Sequence, residues 1–225
     1  MNKKMKVSPE GIRERFSTKK HLPPSDFNSW NDELSTAHIS DALKNILEHD
    51  WVIPGVKPLK DEFKIIGRAF TVKTSANDWG TALRAIDMAN EGDVLFICAD
   101  KDDNAVWGEL TSKTAQKKGL TGTVVYGAVR DVNAIRQLNY PVFTQTVIPN
   151  AGFPTAKGEV NVSLQCGDVV VNPNDVIIGD DCGVIVVPAE LFPQIIKEAL
   201  KIKKDESEII NKINNGYTLS EILGI

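Results

Sequence analysis

Two short motifs, Gly108-Glu109-Leu110 and Arg130-Asp131, hold the residue types that could do chemistry together. An arginine fork binds a planar carboxylate or an enolate oxygen, an aspartate can hold a divalent cation directly or through its waters, and a glutamate can position or deprotonate water. The chain between them reads as a helix from Thr111 to Lys118, a stop at Gly119 and a β-rich run Thr123-Val124-Val125-Tyr126. Both motifs can therefore arrive at one end of a sheet, where an acid, a guanidinium and a second acid would face one small space. Taken alone, Arg130-Asp131 also has an ordinary reading, in which Asp131 caps the helix Val132 to Leu138 and pairs locally with its neighbour, because Asp is a preferred N-cap. The companion motif favours the joint site.

The elements that must position this pair form a regular series from Asp78 onward: helix to Asn90, strand Val94 to Cys98, helix to Lys118, strand to Tyr126, helix to Leu138, strand Val142 to Thr146. Helices alternating with short apolar strands predict an α/β unit with a mostly parallel central sheet. Upstream, Ser35 or Thr36 caps a helix whose positions Ile39, Ala42, Leu43, Ile46 and Leu47 make one apolar stripe. After a loop from Trp51 to Pro58, Phe63 to Ile66 and Ala69 to Lys73 read as strand, broken at Gly67-Arg68. Downstream, Val160 to Val162, Val169 to Val171, Val176 to Ile178 and Val184 to Val187 are closely spaced and separated by Gly-Asp and Asn-Pro turns, which suits antiparallel pairing. Pro188 opens a helical stretch, with the helix proper beginning near Pro193. It is polar around its middle, Lys201 to Glu208; Gly216 ends it, and Leu219 to Leu223 makes a last turn. The expected organisation is a polar leader at 1–33, with an amphipathic piece Pro9 to Phe16 and a breaker at Pro23-Pro24, an α/β core at 34–188, and a C-terminal helical segment at 189–225 that packs on a neighbouring subunit.

At 225 residues, 42% hydrophobic and 25% charged, the chain can build one substantial core or two small ones. Its formal charge of −4 offers no basic footprint for a phosphate backbone, which argues against direct nucleic-acid binding. Cys98, Cys166 and Cys182 lack a Cys-x-x-Cys pair and are odd in number, so neither a disulfide framework nor a zinc site is indicated. No apolar run follows the basic Met1-Asn2-Lys3-Lys4, and no stretch approaches the ~20 apolar residues that cross a bilayer. A cytoplasmic protein is expected.

Other candidates have ordinary explanations. His38 lies beside Ile39 in an amphipathic helix and reads as a partnered structural residue, while His21 and His49 have no second ligand at zinc-site spacing. Asp100, Asp102 and Asp103 lack the glycine and terminal glutamate of a calcium loop, and Asp180-Asp181 reads as a tight turn. Cys182 has no activating neighbour. Trp79 and Trp107 are placed at the starts of two helices, where they shape a pocket mouth or pack in the core. Neither a Gly-x-Gly-x-x-Gly following a strand nor a Walker A sequence is present, so there is no visible cradle for a nucleotide or for S-adenosylmethionine. Lys73, on a strand, is the faint candidate for Schiff-base chemistry.

Six segments in order, Ser35-Thr36-Ala37-His38-Ile39-Ser40-Asp41-Ala42-Leu43, Gly67-Arg68-Ala69-Phe70-Thr71-Val72, Gly92-Asp93-Val94-Leu95, Trp107-Gly108-Glu109-Leu110, Tyr126-Gly127-Ala128-Val129-Arg130-Asp131 and Gly179-Asp180-Asp181-Cys182-Gly183-Val184, span most of the chain. Together they resemble the family of the regulator of ribonuclease E activity A and the class II 4-hydroxy-4-methyl-2-oxoglutarate aldolases. The resemblance implies a layered, swivelling β/β/α domain assembled as trimers or hexamers. It also implies a magnesium- or manganese-dependent lyase that forms the pyruvate enolate, by aldol cleavage of a 4-hydroxy-2-oxo dicarboxylic acid or by decarboxylation of oxaloacetate.

By position in the family motifs, Arg130 binds the 2-oxo acid and Asp131 holds the metal. Glu109 orients water or acts as base, and Gly108 with the amides of Leu110 and Thr111 receives the substrate carboxylate. The resemblance also implies an outer-shell glutamate from the C-terminal helix of an adjacent subunit, here matched to Glu206 with Glu208 as the other position. The chain departs from the pattern at Ala134, where the family often has another acid, and by carrying Glu109 in place of Asp. The competing function is a non-enzymatic regulator that binds and inhibits a ribonuclease E-type nuclease. Members in that role can lack the acid after the arginine, whereas Asp131 is present here.

Overall fold

A computed structural model describes residues 27, 34–47, 49 and 51–225. The expected leader pieces Pro9 to Phe16 and Pro23-Pro24 lie outside the described residues. The strands are β1 (Lys57–Pro58), β2 (Ile65–Thr74), β3 (Val94–Ala99), β4 (Ala105–Trp107), β5 (Gly122–Val129), β6 (Val142–Val147), β7 (Glu159–Val160), β8 (Leu164–Cys166), β9 (Val169–Val171), β10 (Val176–Asp180) and β11 (Gly183–Val187). The helices are α1 (Thr36–Leu47), α2 (Gly80–Met88), α3 (Glu109–Lys118), α4 (Val132–Leu138), α5 (Phe192–Asn214) and α6 (Leu219–Leu223), with a 3₁₀ turn at Ala189–Leu191.

One sheet runs in the order β1-β6-β5-β3-β2-β10-β11, with β4 added beside β5 and β7 beside β2. Its centre is parallel, through the pairs β2–β3, β3–β5 and β5–β6. Strands β10 and β11 extend it antiparallel, and β8–β9 make a separate antiparallel pair. Val94, Leu95, Phe96 and Ile97 are all fully buried, so β3 reads as a continuous apolar run because both faces of the sheet are covered. The chain is thus an α/β protein with a mostly parallel central sheet and a long C-terminal helix. Among the described residues no helix is long and apolar enough to cross a membrane.

Two expectations about strands need correction. The break expected at Gly67-Arg68 does not occur, and β2 continues through both residues, pairing Gly67 with Ile177 and Arg68 with Val176. Gly67 serves a close backbone approach instead, since a Cβ there would lie 2.7 Å from the Gly92 carbonyl oxygen. Nor does Trp107 begin a helix. It ends β4, a three-residue strand too short to stand out in the hydrophobic pattern.

Two helices begin on carboxylates supplied from outside them. Asp180, at the end of β10, is buried, and its Oδ2 accepts the Thr36 amide at 2.7 Å while Oδ1 accepts the Thr36 hydroxyl at 2.7 Å and the Cys182 amide at 3.0 Å. The turn expected at Asp180-Asp181 is there, and it also holds the start of α1. Ser35 contributes a reciprocal cap with His38, whose Nδ1 accepts the Ser35 amide at 3.0 Å. The other His38 ring nitrogen faces Glu206 Oε2 at 3.0 Å, so His38 is the partnered residue expected and ties α1 to α5. That contact lies on the helix pair whose buried side includes Ile39, Leu43, Ile195 and Ala199. Farther along, Ile210, Ile213, Leu219 and Leu223 are exposed.

Asp78 does the same work for α2. Its Oδ1 accepts from the amides of Gly80 (2.9 Å), Thr81 (3.3 Å) and Ala156 (2.8 Å), and its Oδ2 from the Thr81 hydroxyl (2.7 Å) and the Lys157 amide (2.8 Å). One carboxylate therefore caps a helix and pins the 154–158 loop against it. Burial alone raises the Asp78 carboxyl, but hydrogen bonds from Thr81, Lys157, Ala156 and Thr155 outweigh it and hold the group well below the usual carboxylate range. A pKa depressed on folding stabilises the native state above the unfolded value of about 3.9, and that contribution is lost as pH falls through the folded value. Asp78→Ala should cost about 3 kcal/mol or more in urea unfolding at pH 7, because several buried donors lose their acceptor. The stability gap between wild type and Asp78→Asn should narrow as pH drops below about 4.

Candidate active site

The short strand β4 brings the two motifs together. It pairs in parallel with the end of β5, Ala105 opposite Ala128 and Trp107 opposite Val129, and the Arg130 amide donates to the Trp107 carbonyl at 3.0 Å. Just before this contact β5 carries a bulge: Val125 pairs with Thr144 and Ala128 with Thr146, leaving Tyr126 and Gly127 opposite the single Gln145. Gly127 has φ +153°, a conformation that side chains rarely adopt. Bulges of this kind re-aim the end of a strand, and this one delivers Arg130-Asp131 to the mouth of the sheet.

The chain then turns at Gly108 into α3. Gly108 is extended, and a Cβ on it would lie 2.7 Å from Asp131 Oδ2 and 3.2 Å from Arg130 Cγ. Only a hydrogen fits there. The Thr111 hydroxyl donates to the Gly108 carbonyl and accepts the Gly108 amide, both at 2.9 Å, which locks the first turn. Asp131 Oδ2 accepts the Glu109 amide at 3.2 Å and lies 3.6 Å from Arg130 Nε. In the first turn of α3 the amides of Leu110 and Thr111 have no residue four positions back inside the helix, and both residues line the same cavity.

Asp131 departs from the ordinary reading of an N-cap. It stands at φ 59°, ψ 34°, in the left-handed region, and its side chain makes no capping bond to α4. The carboxylate reaches back across the cleft to the start of α3 instead. A left-handed non-glycine residue costs about 1–2 kcal/mol, and such strain gathers at functional positions. Its Oδ1 has no hydrogen-bond partner among the described residues, and the side chain is 42% exposed. Glu109 is engaged on its own helix by Lys113, one turn on, an ion pair the motif reading did not include.

Arg130, Asp131, Glu109, Gly108, Leu110 and Thr111 line one cavity of about 360 Å³. The structure therefore gathers every expected site residue of the two motifs. Glu206 is elsewhere, on α5 beside His38 of its own chain. The sequence reading missed Ala105, Val106 and Ala151, small or aliphatic residues whose types carry no chemical signal, and left Trp79 and Trp107 between pocket and core. Both tryptophans line the cavity. Trp107 donates from Nε1 to Ser112 Oγ at 2.8 Å and Trp79 to the Gly152 carbonyl at 3.1 Å.

The acidic cluster Asp180, Asp181 and Cys182 also has ligand atoms within 4.8 Å of one another, but Asp180 is already committed to Thr36 and the Cys182 amide. Burial and the neighbouring Asp180 and Asp181 push the Cys182 thiol up, against a nucleophilic role.

Comparison with known proteins places these features in context. The family described as RraA-like, Aldolase/RraA, matches residues 36–186. An uncharacterized protein of Methanocaldococcus jannaschii is 42% identical over 177 residues, 76% of this chain and 84% of that one. A protein of Halalkalibacterium halodurans, provisionally named a 4-hydroxy-4-methyl-2-oxoglutarate aldolase, is 34% identical over 182 residues, 80% of this chain and 85% of that one. The crystal structure of an uncharacterized protein from Pseudomonas syringae pv. tomato is similar with a TM-score of 0.80 at 27% identity, covering 91% of this chain and 97% of that one.

The constraint at Gly108 is open to a direct check. In Gly108→Ala the added methyl must displace the Asp131 carboxylate and break its bond to the Glu109 amide, at a cost of about 1–3 kcal/mol in thermal or urea unfolding. A crystal structure of the variant should show Asp131 moved away from the start of α3 while the sheet is unchanged.

Proposed function

The chain belongs to the RraA-like (Aldolase/RraA) family, and on that premise we propose that it is a divalent-metal-dependent lyase that forms the enolate of pyruvate. Its reactions are aldol cleavage of a 4-hydroxy-2-oxo acid, of the 4-hydroxy-4-methyl-2-oxoglutarate type, and decarboxylation of oxaloacetate. The observation that carries this reading is the convergence of Arg130, Asp131, Glu109 and the start of α3 on one cavity, with Asp131 tied to the Glu109 amide.

The residues present fit a hard cation. Asp131 offers a carboxylate oxygen without a hydrogen-bond partner among the described residues, a second carboxylate, Glu109, lines the same space, and oxygen donors suit magnesium or manganese. Asp131 would hold the ion, and Glu206 of an adjacent copy, or Glu208, would complete its outer shell. When bound, the ion supplies Lewis-acid polarisation of the 2-oxo group.

The chain's own groups do the rest. The amides of Leu110 and Thr111 receive the substrate carboxylate at a helix N-terminus, which suits an anion. The Arg130 guanidinium donates to the 2-oxo oxygen, where negative charge develops as the C3–C4 bond breaks. In the aldol cleavage Glu109 takes the proton of the 4-hydroxyl, directly or through a water. The electron pair of the broken bond enters the enolate, and protonation at C3 gives pyruvate. Oxaloacetate passes through the same enolate with loss of carbon dioxide.

The test follows pyruvate release from oxaloacetate and from a 4-hydroxy-2-oxo acid, with magnesium and with chelator. Arg130→Ala should lower kcat roughly 100- to 1,000-fold, the typical effect of removing one preorganised donor. Asp131→Asn, which tolerates the left-handed backbone, should fold normally and lose metal-stimulated activity. A slow background indifferent to metal and to both substitutions would overturn the proposal and point instead to the regulator class, tested by direct inhibition of a ribonuclease E-type nuclease.

A further inference from the structure

The end of β3 places Cys98 under the β8–β9 pair, next to Cys166. Lys73 of β2 and Tyr126 of β5 lie directly opposite Cys98 in the two parallel ladders, so the three side chains share one face of the sheet. The β8–β9 pair covers that face. Cys98 Sγ lies 3.6 Å from the carbonyl oxygen of Gln165, the residue before Cys166, and a Cβ on Gly167 would stand 4.0 Å from Tyr126 Oη. Cys166 is fully buried, whereas Cys98 is partly open to solvent. Both are free thiols.

The two thiols are unequal. A hydrogen bond from Cys166, helped by the Lys73 cation, holds the Cys98 thiol below the usual range against burial and the charge of Asp100. The same hydrogen bond, together with burial, pushes the Cys166 thiol up. Cys182 is the most exposed of the three cysteines, yet burial and the carboxylates of Asp180 and Asp181 push its thiol up as well. Exposure and thiolate character therefore rank the cysteines differently. A thiolate with a second thiol beside it is the arrangement that a peroxide converts to a disulfide, because the sulfenic acid formed first is captured by the neighbour.

We infer that Cys98 and Cys166 form a dithiol oxidised by hydrogen peroxide, with Cys98 as the attacking sulfur and Cys166 as the sulfur that closes the disulfide. This chemistry is independent of lyase activity. Cys98 attacks one oxygen of the peroxide, the O–O bond breaks, and the departing hydroxide becomes water with the proton that Cys98 gave to solvent. The Cys166 sulfur then attacks the Cys98 sulfenic acid, the S–S bond forms, and the expelled hydroxide takes the Cys166 proton. Each sulfur gives up one electron, and the peroxide is reduced to two waters. Once Cys98 is a neutral sulfenic acid, one cause that keeps the proton on Cys166 is gone. The bond fastens the β8–β9 pair to β3, beside the bulge at Tyr126 and Gly127.

The test treats the full chain at neutral pH with limiting hydrogen peroxide, quenches it with an alkylating agent under denaturing conditions, and maps each cysteine by mass spectrometry. Cys98 should be lost about tenfold or more faster than Cys182. The oxidised product should be a Cys98–Cys166 cross-linked peptide that dithiothreitol separates. Cys166→Ala, an exchange of small apolar side chains, should let the Cys98 sulfenic acid accumulate, where dimedone traps it. Cys98→Ala should leave Cys166 reduced at the same dose. If Cys182 reacts as fast as Cys98, or if Cys98 and Cys166 do not become linked in the wild-type chain, the inference is overturned. The wild-type map decides this even where a variant fails to fold.

Discussion

A carboxylate from one βα connection reaches the first amide of the next helix over, and that contact organises the candidate site. Asp131 can accept the Glu109 amide because β4 and β5 run parallel, with one register shift between Ala105 and Trp107, so that their C-terminal ends open side by side. It can do so also because Gly108 leaves the space that a Cβ would take from Asp131 Oδ2. Parallel strands deliver loops to one edge of a sheet, which is where α/β proteins place ligands. The bulge at Tyr126 and Gly127 and the left-handed backbone at Asp131 are local strain that this arrangement sustains.

Three aspartates each hold the start of a helix, and the difference among them separates scaffold from site. Asp78 and Asp180 are buried and use both oxygens on amides and hydroxyls. Saturated in this way, they have nothing left to offer a ligand, and they work as clamps that join distant parts of the chain. Asp131 has the same kind of contact with one oxygen only and remains partly open to solvent. A charged oxygen with no hydrogen-bond partner among the described residues, beside an arginine and a helix N-terminus, is free to accept from a ligand.

The C-terminal helix shows a similar division along its length. Its first part is packed, with Phe192, Ile195 and Ala199 buried against the rest of the fold, and Glu206 meets His38. Beyond that the apolar positions Ile210, Ile213, Leu219 and Leu223 are exposed.

The amino-acid sequence by itself determined the local elements and the chemistry on offer. Helix α4 falls on Val132–Leu138 as the pattern predicted, the C-terminal turn on Leu219–Leu223, and the buried run of β3 on the apolar segment from Val94, because hydrophobic period and capping residues act over a few positions. The types Glu109, Arg130 and Asp131 likewise announce acid, fork and ligand without any fold. Tertiary structure decided what those residues touch. Gly67 looked like a break and proved to be a close backbone approach, Asp131 looked like a cap for α4 and turned to α3, and Asp180 looked like a turn and became the anchor of α1. Each of these depends on a partner far along the chain or on an atom that must be missing, and such distances and vacancies arise only when the sheet has been assembled.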